Sequence, residues 1–191
     1  SLFLSANEED VRQAMLAGYP AGQVLESRHI DEEDDQELRV AFDFDGVVAD
    51  DESETIYQET HDVAKFHEYE QSHVNVPHTP GPLKDFLAKL SIVQQLEEKK
   101  ATEDAQYKPK LRISIVTARN APSHERVINT MRNWGITVNE AFFLGGIEKK
   151  KVLEVLNPHI FFDDQKTHLV PTSSVLPSVH IPFGITNTTS P

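Results

Sequence analysis

The chain has 191 residues, 38% of them hydrophobic and 26% charged, which suits one globular core with at most a small accessory lobe. Its formal charge is -13, and so acidic a chain argues against nucleic-acid binding, which needs cations to displace the counterions of phosphate. Cysteine is absent, so disulfides and thiolate metal sites are excluded. No run approaches the roughly 18 apolar residues of a membrane span, and the start "SLFLSANEED" lacks a basic and apolar leader pattern. The expectation is a soluble, cytoplasmic protein without membrane contact.

In chain order, short apolar runs read as strands at "LFLSA", "LRVAFDF", "LRISIVTA", "AFFLG", "HIFFDD" and "VHIPFG". Between most of them lie helix-period patterns, among them "NEEDVRQAMLAG", "SHERVINTMRNWG" and "KKKVLEVLN". Strands alternating with amphipathic helices predict an α/β fold, a doubly wound and mainly parallel sheet covered on both faces. Asn7 and Ser123 have the chemistry of helix N-caps, and Gly135 that of a helix stop after Trp134. The acidic run Asp31 to Asp35 reads as a solvated loop, because adjoining carboxylates repel. The two ends of the chain echo each other as strand, helix and short strand, a hint that the chain starts partway into its fold.

Residues 51 to 109 interrupt the alternation. They hold a helical stretch "SETIYQETHDVAKFHEYEQS", a turn "VPHTPGP" and a second helix "LKDFLAKLSIVQQLEEKK", with no convincing strand. A parallel crossover needs only about a dozen residues. The excess length predicts a helical cap inserted into a core made of residues 1–50 and 110–191. The competing reading is that these helices cover a face of the sheet.

The chemistry gathers at strand ends. Asp43 and Asp45 follow one strand, Thr117 closes "ISIVT", Asp163 and Asp164 close "HIFFDD", and Lys149 opens the helix after "AFFLGG". Ligands of open α/β sheets bind outside the carboxyl ends of the strands, so these groups meet if the strands are parallel neighbours. Carboxylates that repel one another are tolerated around a hard divalent cation, and Mg²⁺ prefers oxygen ligands. Lys150 and Lys151 compete with Lys149 for the site. Nine histidines show no metal-binding spacing and read as scattered.

"DFDGV", the threonine of "IVTAR", a downstream lysine and "FFDD", in that order, resemble the four motifs of the haloacid dehalogenase superfamily of phosphotransferases. Longer strings, "LRVAFDFDGVVADDESE", "GPLKDFLAKL", "VTARNAPSHERVINTMRNWGITVNEAFFLGG" and "PHIFFDDQKTHL", are similar to the type I cytosolic 5'-nucleotidases. The resemblance implies a Mg²⁺-dependent enzyme that hydrolyses nucleoside 5'-monophosphates, with Asp43 as nucleophile and Asp45 as general acid and base. It further implies that Thr117, with the Ala118 N–H, holds a phosphoryl oxygen and that Lys149 neutralises charge. Mg²⁺ would be bound by Asp43, the Asp45 carbonyl, Asp163 and Asp164. Gly46 falls in the first motif beside the phosphate, and Arg119 contacts phosphate or ribose, or else forms a salt bridge. Phe66, His67 and Tyr69 are candidates for stacking on a base, against the alternative of packing in a core. Phe44 and Gly46 stand where many type I members have glycine and alanine. Members usually carry a further N-terminal portion, so this chain reads as a compact or truncated relative. Competing readings are a phosphatase for another small phosphoester, or a nucleotide-binding relative with little turnover. The implied partner is a small nucleotide, with a homo-oligomer left open.

Overall fold

The computed structural model describes residues 2–27 and 34–187. Asp31, Glu32 and Glu33 of the acidic run lie outside them; Asp35, at its end, pairs with Arg39 at 2.5 Å. The described residues form one seven-stranded sheet in the order β1-β2-β7-β6-β3-β4-β5. The strands are β1 (Phe3–Ser5), β2 (Ala21–Val24), β3 (Leu38–Phe42), β4 (Leu111–Thr117), β5 (Glu140–Phe143), β6 (Ile160–Asp163) and β7 (Ser178–His180). The five strands from β7 to β5 run parallel, while β2 pairs antiparallel with β7 and carries β1 alongside it. The expected mainly parallel α/β sheet is present, with its first two strands reversed.

The period of two along each strand divides the core between the faces. Val40, Phe42, Ile113, Ile115 and Phe162 point to one side, where Leu87 of α4 (Lys84–Glu103) and Val127 and Met131 of α5 (His124–Asn133) meet them. Ala41, Val116 and Phe161 point to the other, against Leu153 of α6 (Lys149–Leu156) and Leu169 of α7 (Lys166–Ser173). Phe42 stacks on Phe162 with centroids 5.1 Å apart, so β3 and β6 are locked side by side just before their acidic ends.

Three helices lie between β3 and β4: α2 (Glu52–Thr60), α3 (Val63–Ser72) and α4. The continuous helix expected over "SETIYQETHDVAKFHEYEQS" is two helices. His61 adopts the left-handed conformation at φ 49°, and the Asp62 side chain caps the next helix by accepting from the Ala64 N–H at 2.9 Å. Leu83, Phe86 and Leu87 seat the start of α4 on the sheet, so α4 serves as a crossover helix between β3 and β4.

Of the expected caps of α1 (Glu8–Leu16) and α5, Asn7 accepts from the Glu9 N–H at 2.9 Å. Ser123 does not cap α5: its backbone is already helical, and its hydroxyl donates back to the Asn120 carbonyl at 2.8 Å. Gly135, at φ 66°, ends α5 in a Schellman motif, its N–H donating to the Arg132 carbonyl and the Ile136 N–H to the Met131 carbonyl. No helix among the described residues is long and apolar enough to cross a membrane.

Candidate active site

The register of β3 and β6 pairs Phe42 with Phe162, which brings the next residues, Asp43 and Asp163, together at the carboxyl ends. The Asp43 N–H donates to the Phe162 carbonyl at 2.8 Å. Lys149, the first residue of α6, places its ammonium 2.6 Å from Asp43 Oδ2 and 2.7 Å from Asp163 Oδ2. Lys150 pairs instead with Glu154 and Lys151 with Glu148, so Lys149 alone of the three enters the site. Asp163 Oδ1 accepts from the Gln165 N–H at 2.8 Å, and His168 Nδ1 lies 3.2 Å from Asp163 Oδ2.

Burial pushes the Asp43 carboxyl up to about 7, and the negative charges of Asp163 and Asp45 add to that against the pull of Lys149. Burial also opposes the charge on Asp163, but Lys149 and His168 hold its carboxyl below the usual range. Burial would lower the proton affinity of Lys149, yet the two carboxylates outweigh it and keep the ammonium firmly charged. Two buried carboxylates thus share one cation. Two carboxylates with surplus negative charge fit a hard divalent ion such as Mg²⁺, and Asp43, Asp163 and the imidazole nitrogen of His168 offer ligand atoms within 4.8 Å of one another.

Gly46 adopts φ 69°, and a Cβ there would come within 2.6 Å of the Asp164 carboxyl, so a side chain would displace Asp164. Thr117 is buried at the end of β4, with its hydroxyl oxygen accepting from the Arg119 N–H at 3.3 Å. Ala118 and Arg119 follow it along the wall of the cavity. Arg119 grips Asp45 with both arms of its guanidinium, Nε to Oδ2 at 2.8 Å and Nη2 to Oδ1 at 2.7 Å. Of the two expectations for Arg119, the salt bridge is made, with Arg119 buried and Asp45 half-buried rather than both at the surface.

These groups open onto a cavity of about 380 Å³. Asp43, Asp45, Thr117, Arg119 and His168 line its polar end, and Tyr57, Val63, Phe66 and His67 of the helix pair line the other. His67 reaches across to Asn120 at 3.0 Å. Tyr69 turns away, stacking on His73 and bonding to Glu52, so of the three aromatic candidates two line the cavity.

Sequence reasoning missed Glu70, Arg126, His168 and Tyr57. Glu70 and Arg126 are charged residues on helices, a type usually solvated, and here both are buried and paired with each other at 2.9 Å. His168 sits one turn into α7, five residues after Asp163, a spacing that marks nothing without the strand-to-helix turn between them.

The family model for 5'-nucleotidase matches residues 1–188. The chain belongs to that family. Over 170 residues it is 36% identical to cytosolic 5'-nucleotidase 1B of Homo sapiens, a stretch covering 88% of this chain and 27% of that protein. It therefore spans about a quarter of the length of the curated relative it matches. No solved structure matches the chain. As a member of the 5'-nucleotidase family it has its acidic residues, lysine and threonine on one edge of the sheet.

Proposed function

We propose that this chain forms the reaction centre of a Mg²⁺-dependent phosphatase of the haloacid dehalogenase type, hydrolysing nucleoside 5'-monophosphates to nucleoside and phosphate. The observation that carries the reading is Asp43 in the lining of the cavity, with Lys149 at 2.6 Å on one side and Asp45, two residues on, gripped by Arg119. Asp43 attacks phosphorus; a bond forms from its carboxylate oxygen as the bond to the 5'-oxygen breaks, and Asp45 gives that oxygen its proton. Water then attacks the aspartyl-phosphate, Asp45 takes the proton of the water, and Asp43 leaves as a carboxylate. Thr117 and the backbone N–H of Ala118 hold phosphoryl oxygens, and Lys149 offsets the charge that collects on them. Asp43, Asp163, Asp164 and the Asp45 carbonyl would hold Mg²⁺, which would supply further positive charge to the transferring phosphoryl group. Phe66, His67 and Tyr57 offer rings to the nucleoside, and the helices α2 and α3 act as the cap over it.

Two observations support this assignment of the cap to α2 and α3: their residues line the cavity, whereas α4 lies on the sheet. The test is phosphate release across nucleoside 5'-monophosphates and sugar phosphates. Nucleotides should be preferred, and Asp43→Asn should lower turnover roughly 10³-fold or more with the fold intact by circular dichroism. Preference for a sugar phosphate would transfer the reading to that substrate class. Unchanged turnover in Asp43→Asn would remove Asp43 as the nucleophile.

A further inference from the structure

Glu70 has no task in the reaction described above, yet it is 1% exposed and is the hub of the charges that join the helix pair to the sheet. Its Oε2 accepts from Arg119 Nη1, and its Oε1 accepts from Arg126 Nη1 at 2.9 Å and from the Ser53 hydroxyl at 2.7 Å. Arg119 gives its remaining edge to Asp45. One planar guanidinium therefore spans two carboxylates, and few orientations of its fork serve both. The rings of Phe44 and Phe66 lie against it, with centroids 5.6 Å and 5.4 Å from its central carbon.

We propose that Glu70 is a positioning residue for proton transfer: by pinning Arg119 it aims the Asp45 carboxyl at the leaving oxygen, and so ties that aim to the seating of α2 and α3. The inference rests on the reading of Asp45 as the general acid. Its physical basis is the steep dependence of such steps on geometry, where displacement by an ångström costs about a hundredfold. Without Glu70 the long arginine side chain is free to swing, and Asp45 follows it. A carboxylate that only stapled the helices would affect every substrate alike.

The experiment uses the leaving group to separate these roles. A nucleoside 5'-oxygen is a poor leaving group that needs a proton, whereas p-nitrophenolate departs without one. Each variant is assayed on a nucleoside 5'-monophosphate and on p-nitrophenyl phosphate, reading kcat/KM, which reports steps up to departure of the alcohol and leaves out hydrolysis of the phosphoenzyme. Glu70→Gln should lose about ten-fold or more on the nucleotide and less than about three-fold on the aryl ester. Arg126→Gln, which removes a partner of Glu70 that does not touch Asp45, should change both substrates equally. Equal losses in Glu70→Gln on the two substrates would overturn the proposal and leave Glu70 a staple. Asp45→Asn reports separately on the underlying reading: equal losses there would mean that Asp45 is not the acid. Should Glu70→Gln fail to fold, Arg119→Lys, which keeps the charge and loses the fork, is measured in its place with the same two outcomes deciding.

Discussion

Asp43 and Asp163 are adjacent because a register places them so, and Lys149 stands between them, holding the Asp163 carboxyl low while burial still raises that of Asp43. Asp43 has no neighbour in the sequence that would neutralise it and Asp163 has only His168, five residues on; the shared compensation comes from Lys149, at the start of the helix that follows β5 in the chain. Gly46 is the complementary case, a residue whose contribution is the absence of a side chain. Its positive φ costs any other residue roughly 1–2 kcal/mol, and a Cβ would strike the Asp164 carboxyl. Gly46→Ala should therefore lower both the urea midpoint and phosphate release, and the loss of activity should exceed what the lost stability explains when assayed well below the transition. A variant destabilised but fully active would mean that Asp164 needs no particular place. The motif "DFDG" was legible in the sequence because each of its parts is local. Glu70 was not legible, because its importance comes from two arginines 49 and 56 residues further along the chain.

At the scale of elements, the clearest signals were those in which a residue type matches a backbone demand. Asn7 caps α1, and Gly135 closes α5 with a left-handed residue and two backbone hydrogen bonds. A Cβ at Gly135 would meet nothing within 4 Å, so Gly135→Ala isolates the backbone cost. It should lower unfolding free energy by about 1–2 kcal/mol in urea and leave kcat unchanged; an unchanged midpoint would show that the φ of 66° is not needed. Ser123 illustrates the converse. Its chemistry suits an N-cap, but the chain is already helical there and the hydroxyl turns to Asn120. The break at His61 was likewise hidden, because the apolar pattern continues across it and only the capping by Asp62 shows where a new helix begins.

For the whole molecule, the governing quantity is charge. A formal charge of -13 attracts no phosphate by itself, so the proposed reaction would need local positive charge from Lys149, Arg119 and a divalent cation. EDTA should abolish phosphate release and Mg²⁺ restore it. Mg²⁺ should also raise the melting temperature of the wild-type chain, because a ligand that binds only the folded state stabilises it. The shift should shrink in Asp163→Asn. Equal shifts in both proteins would place the ion elsewhere. The sequence by itself determined the alternation of strands and helices, the acidic pair after β3, the threonine after β4 and the acidic pair after β6, because these depend on contacts a few residues apart. Only the tertiary structure decided which lysine enters the site, the reversal of β1 and β2, the lining of the cavity by α2 and α3 while α4 covers the sheet, and the bridge from Glu70 through Arg119 to Asp45. Those outcomes depend on charges and faces that meet across long stretches of chain, where the free energy is set by burial and partnership rather than by residue type.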